Sequence, residues 1–533
     1  MPGDAGGVRT VTYLVTGEDD IDRLLARLGS VYSCKKEPEA TETITIYDTF
    51  DWRLSRKSIV LYTSDDFLCL RRRNECDVLH RLAVERPPVF LRDLPDGALK
   101  AMLAPILEAR ALMKLVELIS ETTSYRVVNA DGKTVVRLTH ERIRPRRHRQ
   151  APLLGSRLWL RPIMGYRRHF RTVAAHMEEA GLVLTHEDIP YERGLDFVGK
   201  KPSDYSTKIN LALSPEMRAD MAAKEILRML LRIIRINEAE LAKDLDTEFL
   251  HDFRVAIRRT RSALGQIPDV FPPGITERFK RDFSFAGRLT NELRDLDVWL
   301  LEEESCKAKL APSIRGNIDP VFAGLREERA RAFQAVVRQL KSRKFRKFLE
   351  DWEAFLSAPE EGLEQAPNAA VPIAHLARER ILRRYRRVVK AGSRIVERGE
   401  DEKLHALRIR CKKLRYLMEF LSSLFPREKI GVLVGQVKKL HDDLGAYNDL
   451  RIQEDFLLRT GRASSEDPLR KETLIAIGNL VGALDAEKRR VKCEFRQTFA
   501  VFTSSATRAM FDELFAPNGP PSNEGAPGGV PTS

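Results

Sequence analysis

The feature that most constrains this chain is an internal repeat. HDFRVAIRRTR begins at His251 and HALRIRCKKLR at His405, and both read H-x-x-R-x-x-x-[RK]-[RK]-x-R. At about 100° per residue on an α-helix, His251, Arg254, Arg258 and Arg261 fall within an arc of about 80°. His405, Arg408, Lys412 and Arg415 fall in the same arc of the second copy, with Arg259 and Lys413 as the further cations of the pattern. Apolar residues take the opposite side in both: Phe253, Ile257 and Leu264 in one, Leu407, Cys411 and Met418 in the other. The pattern therefore predicts two helices, each with a core face and an outward cationic stripe.

The likeness continues downstream. GRLTNELRDLDVWL (287–300) and KKLHDDLGAYNDLRI (438–452) each follow their basic helix after a Pro-containing turn. Leu289, Leu293 and Asp297 align with Leu440, Leu444 and Asp449, with one extra residue in the second copy. The unit is thus a pair of helices used twice. Copies packed about a pseudo-two-fold axis would bring the two stripes to one surface. His441, Asp442 and Asp449 could suggest a metal, but their fit to the repeat favours helix pairing or capping.

Charge supports an anionic partner. Lys and Arg number 91 against 77 Asp and Glu, for a net charge of +14. RERILRRYRRVVK (378–390) and KSRKFRK (341–347) add basic helix faces, which are ordinarily solvated surface. Arg383, Arg386, Arg387, Lys438 and Lys439 form a second tier of polyanion-binding candidates.

With its His-Arg-Arg/Lys-Arg helices and its RDLD and YND segments, the stretch 217–515 resembles the CHAD family. That resemblance implies a helical fold with a basic central groove that binds inorganic polyphosphate, and in some bacteria an association with polyphosphate granules. The chemistry agrees: a linear polyphosphate has charge and no bases, and the guanidinium fork suits phosphate oxygens. Stacking platforms of the kind single-stranded RNA requires are sparse, aromatic residues being 7% of the chain. Each histidine reads equally well as a phosphate contact or as a structural ring bridging two helices. In contact with phosphate it would be protonated and strengthen binding below neutrality.

The first 198 residues are of another kind. Strand-type runs TETITIYDTF, KSIVLY and DFLCLRRR alternate with helical stretches at Asp20–Leu28, Asp96–Leu115 and Arg168–Ala180. YRVVNADGKTVVRL reads as a hairpin, with Gly132 supplying a positive φ at the turn. YDTFDWRLSRKSIVLY, that hairpin and LWLRPIMGYRRHFRTVAAHMEEAGL resemble the CYTH, or triphosphate tunnel, superfamily. The resemblance implies an antiparallel β-barrel whose walls hold a divalent metal and a triphosphate. The E-x-E-x-K stretch expected on the first strand is missing, since VRTVTYLV (8–15) carries no Glu, Asp or Lys. Without carboxylates the metal that neutralises a phosphoanhydride has no ligands. Glu85, Glu121 and Glu141 form no alternating acidic pair. Arg71, Arg72, Arg73, Arg126, Arg137 and the run 142–149 keep the unit cationic.

The expectation is an α+β chain of two domains. A tunnel-like antiparallel β-barrel with helices covers 1–198, a linker 199–216, and an all-α bundle of two repeated units 217–515, before a disordered Pro/Gly/Ser-rich tail at 516–533. Six scattered cysteines, with no C-x-x-C pair, read as reduced thiols rather than a disulfide frame. There is no P-loop, G-x-S-x-G or H-E-x-x-H, no basic-then-apolar leader and no apolar run long enough to span a bilayer. The expected protein is a cytoplasmic, non-enzymatic binder of inorganic polyphosphate, with no cofactor, metal or membrane partner, and with granules as a further location. Two alternatives stand beside it: a metal-dependent triphosphatase in the first domain, and a nucleic-acid binder directed at the phosphate backbone.

Overall fold

The computed structural model describes residues 10–17, 20–73, 78–146, 151–185, 190–202, 204–359, 366–463 and 471–516. The extreme N-terminus, the 147–149 end of the basic run and the tail from 517 lie outside the described residues. The chain forms two compact units, Met1–Ser206 and Thr207–Ser533.

In the first unit, ten strands form one antiparallel sheet. They are β1 (Val11–Leu14), β2 (Ser33–Lys36), β3 (Ala40–Asp48), β4 (Ile59–Ser64), β5 (Phe67–Arg72), β6 (Val78–Ala83), β7 (Met113–Val128), β8 (Thr134–Pro145), β9 (Gly155–Pro162) and β10 (Val183–Leu184). The order is β10-β1-β9-β8-β7-β3-β4-β5-β6, with β2 paired to β7 beside it. Among the described residues the ladder ends at β10 and β6. The pairing therefore gives an open sheet where the sequence reading has a closed barrel.

The hairpin forms as read. Gly132 sits at φ +75°, and its amide donates to Asn129 O across the β7–β8 turn. Four helices accompany the sheet: α1 (Asp20–Leu28), α2 (Ala98–Leu107), α3 (Arg167–Glu179) and α4 (Tyr191–Phe197). Leu24 and Leu28 of α1 share a core with Phe170, Val173 and Met177 of α3, and α2 packs Leu99, Leu103 and Leu107 against Leu61, Leu68 and Leu70. The helix expected over Asp96–Leu115 is shorter. Glu108, at φ 51°, closes α2, and from Met113 the chain belongs to β7, where it pairs with β3.

The described part of the second unit is helical. Its elements are α5 (Ala219–Leu241), α6 (Thr247–Gln266), α7 (Pro273–Leu289), α8 (Asn291–Leu301), α9 (Glu303–Ala308), α10 (Asp319–Leu340), α11 (Arg343–Ser357), α12 (Ile373–Arg398), α13 (Leu404–Phe420), α14 (Arg427–Ala463), α15 (Lys471–Phe502) and α16 (Ser505–Phe515). No described helix is long and apolar enough to cross a membrane.

The two repeats are α5–α8 and α12–α14, and their relation can be read from the backbone. Ala219 N donates to Val371 O (2.9 Å) and Ile373 N to Met217 O (2.9 Å). Residues 217 and 371, and 219 and 373, differ by the same offset as His251 and His405. Equivalent positions thus exchange hydrogen bonds reciprocally, as a two-fold relation requires. The copies differ in the helix that follows: α7 and α8 are interrupted at buried Thr290, whereas α14 runs on without a break.

Candidate functional site

α6 begins where Asp246 caps it, the carboxylate accepting from Glu248 N at 2.8 Å. α13 begins after Gly399, whose φ of +68° ends α12, and a single 3-10 turn at Asp401–Lys403. Both helices bury the apolar side read from sequence: Phe253, Ile257, Leu264, Leu407, Cys411 and Met418 are all at most 3% exposed. α6 and α13 pack on each other, which brings their outward stripes together.

The meeting point is Lys412. Burial depresses its ammonium to about 8, and Arg258, Arg408, Arg415 and Arg261 add to the effect. Arg258 and Lys412 occupy equivalent places in the two repeats, so neighbouring one another puts them beside the two-fold relation. Among the described residues, Arg258, Arg261, Arg408 and Lys412 have no carboxylate within 4 Å. Nε of Arg254, Arg258 and Arg408 is buried with no protein acceptor. Arg254 is pushed down to about 10, by burial first and then by Arg258. It keeps two bonds at the break between α7 and α8, from Nη1 to Gly287 O (3.0 Å) and to Thr290 Oγ1 (2.7 Å). Such an array is a self-repelling cationic cluster with unused donors, the electrostatic complement of a multivalent anion.

The remaining sequence candidates separate. Arg415 joins the array but also approaches Glu419 (3.4 Å) and Asp442 (3.6 Å). Arg259 turns elsewhere, donating to Thr207 O (2.6 Å) and pairing with Glu419 (3.1 Å). Lys413 faces α12, where burial, Arg384 and Arg410 lower its pKa. His405 is tied down by Nδ1 to Asn448 Oδ1 of the YND segment at 2.7 Å. Asn448 is the buried member of that segment, and Asp449, aligned with buried Asp297, is exposed. His251 lies with Glu248 and Asp252, their ligand atoms within 4.8 Å of one another, the one group among the described residues with the makings of a metal site. Arg383, Arg386 and Arg387 line a cleft on α12. Lys439 pairs with Asp443 (2.5 Å), and Lys438 is exposed.

Arg294 escaped the sequence reading, and His441 takes a place beside the cationic cluster that the sequence did not assign to it. Arg294 of α8 lies beside Glu248, Asp297 and Arg258, and burial lowers its pKa. His441 of α14 is 9% exposed and has its pKa lowered to about 4 by burial first and then by Arg415. Its Nδ1 is 3.3 Å from Asp442 Oδ1, while Nε2 has no protein partner. The arginine of RDLD was the available signal for the first. The sequence offers the second only as a metal or helix-pairing candidate beside Asp442 and Asp449.

In the sheet unit, the Y-D-T-x-D segment is a turn lock. Asp48 accepts from the backbone N–H of Thr49 (2.7 Å), Leu54 (2.9 Å) and Ser55 (2.9 Å), with burial raising its pKa to about 6. Glu141 is buried, ion-paired to Arg157 at 2.5 Å and bonded by Ser120 Oγ. Glu121 approaches Arg142 at 3.6 Å, and Glu85 is exposed. Burial raises Glu42 to about 7, with Asp65 and Glu141 adding to the effect. No group of three metal-ligating side chains lies together among the described residues of this unit.

A duplicated helical module whose two basic helices meet in a cationic cluster defines a class. Residues 225–458 match the CHAD domain family, and the C-terminal half of the chain carries a CHAD domain. Solved structures similar to the chain include the CHAD domain from the plant Ricinus communis, at 23% identity and TM-score 0.46, over 58% of this chain and 96% of that one. PptA from Streptomyces chartreusis matches at 15% identity and TM-score 0.43, over 54% of this chain and 99% of that one. HpAC1 from Hippeastrum, described by a dominant triphosphatase activity, matches at 12% identity and TM-score 0.26, over 37% of this chain and 99% of that one. No curated protein matches the chain.

Proposed function

We propose that the chain binds inorganic polyphosphate through its CHAD domain, with Arg254, Arg258, Arg261, Arg408, Lys412 and Arg415 as the principal contacts and His251 and His405 at their edge. The observation that carries this reading is Lys412, held among four arginines with no carboxylate at hand. A chain of phosphates supplies many oxygens along a line, and forked guanidinium donors with unused N–H groups match them. The domain limits follow this reading, with 217–515 as the binding module and 1–198 as a silent relative of the triphosphate tunnel. Association with polyphosphate granules would follow from such binding.

Titration with long-chain polyphosphate at physiological salt, against heparin and duplex DNA, tests the reading. Tighter binding of polyphosphate than of either rival is expected. The double variant Arg258→Glu, Lys412→Glu should lose binding by roughly a hundredfold or more while its far-UV CD stays native. Equal affinity for all three polyanions, or wild-type affinity in the double variant, would refute the assignment. Duplex DNA is the second reading, favoured only by the overall charge of +14.

A further inference from the structure

A second concentration of positive charge lies on α12, away from the Lys412 cluster. A cleft of about 1200 Å³ is lined there by Arg383, Arg386, Arg387 and Lys390, with Leu382 and Phe515 among its other walls. At 100° per residue the four cations fall within an arc of about 100°, spanning roughly 10 Å of helix. All four are exposed, and α12 turns Ile381, Tyr385 and Val388 into the core behind them. Arg383 comes within 3.6 Å of Glu379. Arg386, Arg387 and Lys390 have no carboxylate within 4 Å among the described residues. Two acids, Glu216 and Glu379, also line the cleft, so its balance stays positive.

The field does not stop at the edge of the cleft. Arg384, on the neighbouring flank of α12, has its pKa lowered by burial and by Arg387, Arg380 and Arg383. Lys413 of α13 is lowered by burial, Arg384 and Arg410. Lys413 is next in sequence to Lys412 and about 100° further round the same helix. One helix, α13, thus carries the central cluster on one flank and the approach to α12 on another, with cations at each step.

We propose that the α12 cleft is a second binding site for the same linear polyanion, reached only by chains long enough to leave the central cluster and cross α13. This rests on reading the central cluster as a polyphosphate site. A short phosphate chain then meets the central cluster alone. A long chain engages both sites at once, and tethering makes the second contact intramolecular, raising affinity without any change at the first. A solvated basic helix face without such a role would respond to chain length only as net charge does.

The test compares tripolyphosphate with polyphosphate of about a hundred units at fixed salt, by calorimetry on the full chain. The proteins are wild type, Arg386→Glu with Arg387→Glu, and a charge-matched control, Arg489→Glu with Arg490→Glu on α15, whose side chains are 73% and 63% exposed. The α12 variant should lose about tenfold more affinity for the long polymer than for tripolyphosphate, within the range tethering supplies. The control should lose far less and show no dependence on length. An α12 variant that weakens both ligands equally, or no more than the control, overturns the second site. So does a variant whose loss is larger for duplex DNA than for polyphosphate. Failure of wild type to prefer polyphosphate at all would instead sink the parent reading, and the two failures are told apart by that first titration.

Discussion

Lys412 sets the energetics of the site. A folded-state pKa near 8, below the usual 10.5, means that the folded protein holds fewer protons than the unfolded one between those values. Stability gains from this group as pH rises through that window, and its cost is fully present below about pH 8. Lys412→Met should therefore raise the midpoint of urea unfolding of the ligand-free protein at pH 7. The gain should shrink by pH 9.5, where wild-type Lys412 is already largely neutral. A substitution effect that is the same at both pH values would contradict the clustered geometry. The stripe itself was legible in the sequence, because helical periodicity fixes which residues share a flank. The split between Lys412 and Lys413 was not, since a flank's neighbour is decided by tertiary packing. The place of His441 beside the cluster was illegible for the same reason: only the packing of α13 on α14 turns it towards Arg415 and Arg408.

Whole elements show where local sequence rules suffice. The β7–β8 hairpin was readable because Asp131-Gly132 dictates the turn, and the cores of α6 and α13 because their apolar spacing is unambiguous. The stretch 96–115 misled because its leucines suit a helix as well as a buried strand. Pairing of Met113–Val116 with β3 decides the matter, and pairing is non-local. Close approach of helices is similarly invisible in one dimension. A Cβ built on Gly392 of α12 would lie 2.1 Å from Phe499 Cε2 of α15. Gly392→Ala should then cost about 1–3 kcal/mol in urea unfolding, as overpacked cores do. Enlarging the space with Phe499→Leu in the same chain should recover part of it.

For the molecule as a whole, the two units differ in how they hold charge. Among the described residues, the helical unit leaves Arg258, Arg261, Arg408 and Lys412 without an acid within 4 Å, whereas the sheet unit pairs Glu141 with Arg157 and keeps no acid on β1. Adding Mg²⁺ or Mn²⁺ and tripolyphosphate to the purified chain should release no phosphate above background. Metal-dependent turnover would make the sheet unit an enzyme in spite of its missing acidic pair.

The reciprocal bonds between residues 217–219 and 371–373 have a meaning for the kind of polymer the site suits. A nucleic-acid strand has a direction, and reversing it exchanges every sugar and base for something different. A linear phosphate chain is the same read from either end. Two copies of one unit, meeting at Arg258 and Lys412, offer a similar order of cations to a chain running either way. The break at Thr290, the exchange of Arg258 for Lys412 and the different partners of His251 and His405 then distinguish the two halves.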